Sequence, residues 1–207
     1  MKLLDGLKTR RSIRKYKNIK IELNKIKQIL KLAIMAPSAH NSNPWYFLII
    51  ENKIIRKDLA IKMAEKYLKD LKNDDINDKF ANKIINDSIE KFSESPTLII
   101  PCLDMSKMQK YTDKKRQQIE LHMGIQSIAA AIQNLLLAAH AEGIASCWYC
   151  APLFAQNIIK HHLKIPNGID PQAFITLGYP LSKKPAKVPP RVKISEICFL
   201  NKWGEKC

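Results

Sequence analysis

The sequence predicts an α+β fold in which a few buried strands lie among more numerous helices. Short aromatic and β-branched runs at 45–50, 97–103, 144–149 and 173–177 are typical of buried strands. Stretches with apolar residues three and four positions apart separate these runs, as in amphipathic helices. No internal repeat or linker interrupts the 207 residues, so we expect one domain spanning 1–207.

Four helices are predicted in the first half of the chain. The first covers 3–9, and the second covers 23–35, where Ile26, Ile29 and Ala33 share one face. Pro37 and the Asn-rich run after it end this helix, because Pro and Asn favour turns. Lysine-rich amphipathic helices follow the first strand at 53–72 and 76–92.

The second half is predicted to contain the most apolar helix. It follows a polar loop at 105–116, covers 120–142 and ends at Gly143, a favourable C-cap residue. A further helix begins at Pro152 and continues to about 164. Gly178-Tyr179-Pro180 ends the last strand. The tail from Leu181 is apolar enough that we expect it to pack on the body or on a partner subunit.

Composition narrows the class of protein. Lys and Arg number 35 against 19 Asp and Glu, a net charge of +16, but the lysines are scattered rather than grouped in blocks. The resulting diffuse positive electrostatic field attracts phosphorylated or polycarboxylate ligands. The N-terminus lacks the apolar stretch of a signal peptide and the apolar runs are too short or too mixed to span a bilayer. We therefore expect a cytoplasmic protein with no membrane association, whose five cysteines are reduced thiols.

Three polar segments carry side chains suited to a phosphorylated ring compound. The run at 10–14 offers three guanidiniums and a hydroxyl, which bind phosphate through paired hydrogen bonds. The turn at 36–45 offers hydroxyls and amides. The segment at 143–152 leaves the long apolar helix, and its Trp148 or Tyr149 can stack on a ring. Taken singly, an arginine run in a basic protein is more often solvated surface, and the turn is also consistent with an ordinary Asn/Pro/Ser loop.

Together, in this order and spacing, the segments resemble the FMN-dependent nitroreductase family. Its marks here are Arg-Arg-Ser-x-Arg at 10–14, Pro-Ser-x-x-Asn-x-x-Pro-Trp at 37–45, and Ala-x-x-x-Gly-Ile at 139–144. The resemblance covers about 4–197. Within the family, His40-Asn41 and Ser146-Cys147-Trp148 resemble the flavin domain associated with the coenzyme F420 γ-glutamyl ligase, although this chain has no room for the ligase domain.

The resemblance implies a central, mostly antiparallel sheet surrounded by helices, and a homodimer whose subunits exchange their tails. It implies FMN as the cofactor and a ping-pong cycle that passes electrons from NAD(P)H to a small organic acceptor, with an F420 precursor as one candidate. Arg14 is expected to stabilise the reduced flavin, and no protein group is expected to act as acid or nucleophile. The FMN-binding positions implied are Arg10, Arg11, Ser12, Arg14, Pro37, Ser38, Ala39, Asn41, Ser146, Cys147, Trp148 and Arg191, with His40 and Tyr149 for substrate.

The sequence departs from the family pattern in three places. Asn43 stands where many relatives have Gln, and Pro189 stands where some have a second basic residue, for which Lys187 is a candidate substitute. Cys150-Ala151 replaces the Glu-Gly pair of classical nitroreductases. This last change argues against turnover of nitroaromatics or quinones without affecting the expected flavin binding.

Other classes of function stay open from the residues alone. Cys147-x-x-Cys150 precedes a predicted helix, as in thiol–disulfide oxidoreductases, whose helix N-terminus lowers the thiol pKa. Against this, the motif lies behind a long helix rather than early in a βαβ unit. A zinc site that adds His161 and His162 is disfavoured, because adjacent helical residues point about 100° apart. The +16 charge alone supports a nucleic-acid-binding module, which lacks any recognition motif here, and we expect no nucleic-acid partner.

Overall fold

A computed structural model describes residues 2–182 and 187–206. Helices and strands alternate irregularly along the chain, as expected for an α+β protein. The helices are α1 (Leu3–Thr9), α2 (Leu23–Ala33), α3 (Lys53–Asn73), α4 (Asp78–Ser93), α5 (Lys114–Ala141), α6 (Gln156–Leu163) and α7 (Ile194–Ile197). The strands are β1 (Trp45–Ile50), β2 (Thr97–Asp104), β3 (Ala145–Tyr149), β4 (Ile169–Pro171) and β5 (Phe174–Gly178). The predicted α+β class is confirmed.

The strands form one open sheet in the order β1-β2-β5-β3, and every strand pair in it is antiparallel. β2 is buried at all eight positions because β1 covers one edge while β5 and β4 share the other. β3 ends the order, so its outer edge is open to another segment. β4 was not predicted, because a three-residue strand containing Pro gives no alternating pattern.

Helices cover both faces of the sheet. On one face α5 packs against α2 and the sheet through the fully buried Ile128, Ile132 and Leu135. On the other face α3, α4 and α6 enclose a second apolar cluster around Phe174. α5 is long and apolar enough to cross a membrane by length and composition alone. Ile128, Ile132 and Leu135 on its inner face are core contacts of this fold, whereas Ile119 and Ile125 are exposed.

Two predicted helix boundaries are wrong by more than two residues. α5 begins at Lys114 rather than 120, because the Asp113 carboxylate caps it by accepting a hydrogen bond from Arg116 N at 2.9 Å. The helix predicted from Pro152 to 164 is two elements, a 3-10 turn at Ala151–Phe154 and then α6. Ala155 separates them with a non-helical backbone (φ −139°, ψ 26°), and its carbonyl accepts a hydrogen bond from Ile159 N at 3.1 Å.

We expect Asn52→Ala to lower the free energy of unfolding by about 1 kcal/mol. The Asn52 side-chain oxygen accepts from Ile54 N at 2.8 Å and Ile55 N at 3.3 Å, which caps α3. Urea denaturation of Asn52→Ala and of Asn52→Asp measures the cap, since Asp keeps the acceptor oxygen. Equal destabilisation by both variants would contradict this role.

Candidate functional site

The arginine-rich segment runs along the open edge of β3. Ile13 N donates to Ser146 O at 3.0 Å, and Ser12 and Ser146 form a parallel bridge. Further on, Tyr16 bridges Pro180, at the end of β5. The backbone therefore fixes residues 12–16 against two strands, which holds the arginines on this segment next to the start of β3.

Tyr16 anchors this segment at Gly178. A Cβ on Gly178 would lie 2.7 Å from the Cβ, Cγ and Cδ1 atoms of Tyr16, so only glycine leaves room for the ring. The Tyr16 hydroxyl lies 2.6 Å from Ile13 O and 2.7 Å from Thr176 Oγ1. Burial raises the pKa of Tyr16 far above its ordinary value, which keeps the phenol neutral. The sequence indicated Gly178-Tyr179-Pro180 as a strand end but not this contact.

A cavity of about 220 Å³ opens beside the same segment. Arg10 and Arg11 line it from one side, Ser146 from β3 and His140 from the end of α5. None of the described residues that line it carries a carboxylate. The Arg11 Nη1 atom donates to Lys8 O at 2.8 Å and to Arg10 O at 2.7 Å, while its buried Nε–H has no partner among the described residues. The arrangement suits an anion.

The far end of β3 is aromatic. Trp148 and Tyr149 are half-buried, and the Arg14 guanidinium lies 5.9 Å from the centre of the Tyr149 ring. In the described part of the chain the buried Trp148 Nε1–H donates to no protein atom. Burial, reinforced by a hydrogen bond with Cys147, raises the pKa of Tyr149. A wider cleft of about 620 Å³ extends from here beneath α3 and α4.

The polar turn contacts α5. His40, Asn41 and Asn43 have left-handed backbones, with φ of 55°, 51° and 47°, a conformation that costs energy for residues other than glycine. Hydrogen bonds hold the turn in this shape: Ala39 N donates to Ser127 Oγ at 3.0 Å, and Asn43 N donates to Ser38 Oγ at 3.0 Å. Sequence reasoning missed Ser127, although a serine on the apolar face of a long helix is a detectable signal.

Glu120 is the second α5 residue that holds the turn. Its carboxylate Oε1 lies 3.1 Å from His40 Nε2, and its side chain is 3% exposed. Its other oxygen, Oε2, is buried and has no partner among the described residues. Glu120 and Ser127 are seven positions apart, so they lie on one face of the helix. Two polar residues on one face of an apolar helix are therefore the sequence pattern from which Glu120 could have been predicted.

The structure brings some of the predicted residues together and separates others. Arg10, Arg11 and Ser146 share the small cavity, while Arg14 and Tyr149 meet at the aromatic end. Ser12 lies in the backbone bridge, Cys147 is buried in β3, and Trp148 and Tyr149 line the wider cleft. The hydrogen bonds of the turn at 37–43 run to α5, within the turn, and to Lys107 and Met108 after β2. The predicted tail residue Arg191 is exposed, and its Nη1 donates to Pro190 O at 3.3 Å.

The cysteine arrangement differs from the one that thiol–disulfide exchange uses. Cys147 is buried within β3 and Cys150 is exposed, and both are free thiols. The 3-10 turn follows Cys150 and α6 begins only at Gln156, so the next α-helix does not start at the Cys-x-x-Cys pair as the thiol–disulfide mechanism requires. Within residues 2–182 and 187–206, no group of three or more His, Cys, Asp or Glu side chains is arranged to hold a metal ion.

Comparison with known proteins agrees with this architecture. The model of the nitroreductase family matches residues 7–179. A protein of Archaeoglobus fulgidus, provisionally named NADH dehydrogenase/NAD(P)H nitroreductase, is 32% identical over 178 residues, which cover 85% of this chain and 84% of that protein. Among solved structures, a BluB-like flavoprotein from Clostridium difficile is 25% identical with a TM-score of 0.76, covering 98% of this chain and 100% of that one.

A second solved structure also matches nearly the whole chain. A protein of Clostridium acetobutylicum, provisionally named NADH oxidase, is 27% identical with a TM-score of 0.69, covering 96% of this chain and 100% of that one. The fold, the site and these relatives define an oxidoreductase. The chain belongs to the nitroreductase family, and its fold is nitroreductase-like, as the resemblance implied.

Proposed function

We propose that this protein binds FMN along the edge of β3 and passes electrons from NAD(P)H to a small organic acceptor. The observation that carries the proposal is the alignment of the 10–14 segment with β3, which joins a cationic cavity to an aromatic strand end. A phosphorylated three-ring cofactor needs both features, an anion site at one end and flat apolar surface at the other.

The cavity fits the phosphate end of FMN. Arg10 and Arg11 supply charge, and the Ser146 hydroxyl supplies a donor. Among the described residues the buried Arg11 Nε–H has no partner, and none of those lining the cavity carries a carboxylate that would oppose an anion. About 220 Å³ is smaller than the roughly 300–1,000 Å³ of pockets that enclose a whole drug-sized ligand. We therefore assign the cavity to the phosphate and its polar chain. Ser12 and the tail residue Arg191 are further proposed phosphate ligands.

The aromatic end fits the ring system. FMN, when bound, supplies the two-electron chemistry, taking electrons from NAD(P)H and giving them to the acceptor in a ping-pong cycle. Arg14 holds positive charge beside that position, which stabilises negative charge on a reduced ring. Trp148 offers an indole N–H that has no partner within 2–182 and 187–206, and Cys147 beside it is buried in the strand. Tyr149 lines the wider cleft and is proposed to contact substrate.

We propose that a homodimer completes the site. The small cavity is open, and the strained turn carrying Pro37, Ser38, Ala39, His40 and Asn41 contacts α5 of its own chain while lying partly exposed. The tail leaves apolar side chains in solvent, with Trp203 91% exposed. Such exposure is typical of an interface. Light scattering is expected to give twice the chain mass of 23.7 kDa, and a monomer at micromolar concentration would remove this part of the proposal.

The acceptor is proposed from the subgroup resemblance. A precursor of coenzyme F420 is the first acceptor to screen, since His40-Asn41 and Ser146-Cys147-Trp148 carry that resemblance. The net charge of +16 favours polyanionic acceptors of this kind by raising their local concentration. NADH and NADPH are both proposed as electron donors and are to be compared. The enzyme is further proposed to be cytoplasmic, without nucleic-acid or membrane partners.

The visible spectrum of the purified protein tests the cofactor directly. We expect flavin absorption bands, and heat release is expected to yield FMN at about one per subunit. A colourless protein that also fails to take up added FMN would remove the central claim. Salt-sensitive DNA binding by such a colourless protein would instead favour the nucleic-acid alternative.

We expect Arg10→Gln to weaken FMN binding about 10- to 100-fold, because it removes a charge-assisted hydrogen bond to phosphate. Riboflavin, which lacks the phosphate, is expected to bind both proteins alike. Fluorescence titration measures both ligands. Lys8→Gln is the matched control, since it removes one exposed positive charge from the neighbouring turn of α1. An equal loss of FMN affinity in Arg10→Gln and Lys8→Gln would mean that the net charge of the protein, rather than a contact of Arg10 with the phosphate, determines the affinity.

A further inference from the structure

We propose that His140 takes up a proton when a phosphate ester enters the cationic cavity, so that ligand binding at this site is coupled to pH. The inference rests on the proposed function, because the phosphate ester in question is that of FMN. His140 stands at an unspecified position of the Ala-x-x-x-Gly-Ile motif, and the sequence analysis gave it no role. The structure places it at the wall of the cavity.

Hydrogen bonding fixes which ring nitrogen carries the proton. The Thr9 hydroxyl lies 2.6 Å from Asp5 O and 2.8 Å from His140 Nε2. A carbonyl oxygen has no proton to offer, so the Thr9 hydrogen lies on the Asp5 side. Nε2 of His140 must then be the donor to the Thr9 oxygen. In the neutral ring this leaves Nδ1 as the remaining polar atom, and it can only accept a hydrogen bond.

The charges around His140 oppose its protonation in the protein alone. Burial lowers the pKa of His140 below its ordinary value, and the positive charges of Arg10 and Arg11 lower it further. Among the described residues that line the cavity, the other side-chain polar groups are the neutral hydroxyls of Thr9, Ser146 and Ser182. Glu142, two positions along the chain from His140, pairs with Lys25 at 3.5 Å. Neutral His140 is therefore the form expected near pH 7.

A phosphate ester reverses this balance. Its oxygens offset the charge of the two arginines, and they accept hydrogen bonds that a deprotonated Nδ1 cannot donate. One proton from solvent adds to Nδ1, and no other bond forms or breaks. A group whose pKa rises on binding strengthens binding at low pH and loses that contribution as pH rises through the raised value. FMN affinity is thus expected to increase as pH falls from about 8 toward about 6.5.

The phosphate itself titrates with a second pKa of about 6 and, as it loses charge at low pH, acts in the opposite direction. A matched variant is therefore needed. His140→Gln keeps an amide donor for Thr9 and has no titration in this range. We expect the wild-type affinity for FMN to rise about tenfold more than that of His140→Gln between pH 8 and pH 6.5.

Calorimetry with FMN in buffers of different ionisation enthalpy measures directly how many protons the protein takes up per FMN bound. The wild type is expected to take up more protons per FMN bound than His140→Gln, by a difference approaching one at pH 7. Riboflavin is expected to show no difference between the two proteins. Equal proton uptake by wild type and variant with FMN would overturn the proposal and leave the proposed function intact.

Inorganic phosphate separates the remaining outcomes. If phosphate binds but FMN does not, the proposed cofactor is wrong, and the difference in proton uptake between wild type and His140→Gln with phosphate still decides the role of His140. If neither binds, both proposals are overturned.

Discussion

Gly178→Ala is expected to lower the free energy of unfolding by about 1–3 kcal/mol and to remove most of the bound flavin. The added methyl would lie 2.7 Å from three carbon atoms of Tyr16, including Cβ, which cannot rotate away. Tyr16 is also held by its backbone bridge to Pro180 and by its buried hydroxyl. Relief therefore requires moving the 12–16 segment, which contains the proposed phosphate ligand Ser12 and directly follows Arg10 and Arg11.

Urea denaturation and the FMN content of the purified variant measure the two effects. Gly124→Ala is the matched control, because its added Cβ would lie 3.1 Å from Leu103 Cδ1 and 3.3 Å from Met105 Sδ, both near the ends of side chains, rather than 2.7 Å from a Cβ atom. Its helical position also gains about 1 kcal/mol of helix propensity. A Gly178→Ala protein with unchanged stability and full FMN content would show that the Tyr16 contact does not fix the segment.

His40→Asn is expected to destabilise the protein by about 1–3 kcal/mol, because Glu120 Oε1 loses its donor while the carboxylate stays buried. Asn tolerates the left-handed backbone at position 40, so the change isolates the side-chain contact from backbone strain. In the proposed homodimer the partly exposed turn would reach the flavin of the partner subunit, so the variant is also expected to lose FMN affinity.

Two further variants separate the causes. Glu120→Gln keeps an oxygen that accepts from His40 Nε2, so we expect a smaller loss of stability than in His40→Asn. His122→Asn, an exposed histidine on the same helix, is expected to change stability by less than about 0.5 kcal/mol. Thermal unfolding of the three variants gives the order of their stabilities directly. His40→Asn and His122→Asn proteins of equal stability would remove the role of the Glu120 contact.

The local sequence pattern was sufficient to predict most of the helices and strands. The aromatic and β-branched run at 45–50 is β1 without a change of boundary, and the predicted helix at 3–9 is α1. Both signals arise within a few consecutive residues, where side-chain shape and periodicity act. The prediction failed where neighbouring residues do not decide the structure. β4 exists because β2 pairs with it, and α5 starts early because the Asp113 cap outweighs the polar character of 114–119.

The candidate site divides in the same way. The sequence by itself determined the family, the arginine-rich segment, the polar turn and the aromatic strand end, because each is a run of adjacent residues. Only the tertiary structure decided their partners: Thr9 and His140 are 131 positions apart, His40 and Glu120 are 80 apart, and Tyr16 and Thr176 are 160 apart. Such contacts depend on how the sheet and α5 pack, and a packed interior fixes geometry that no local pattern contains.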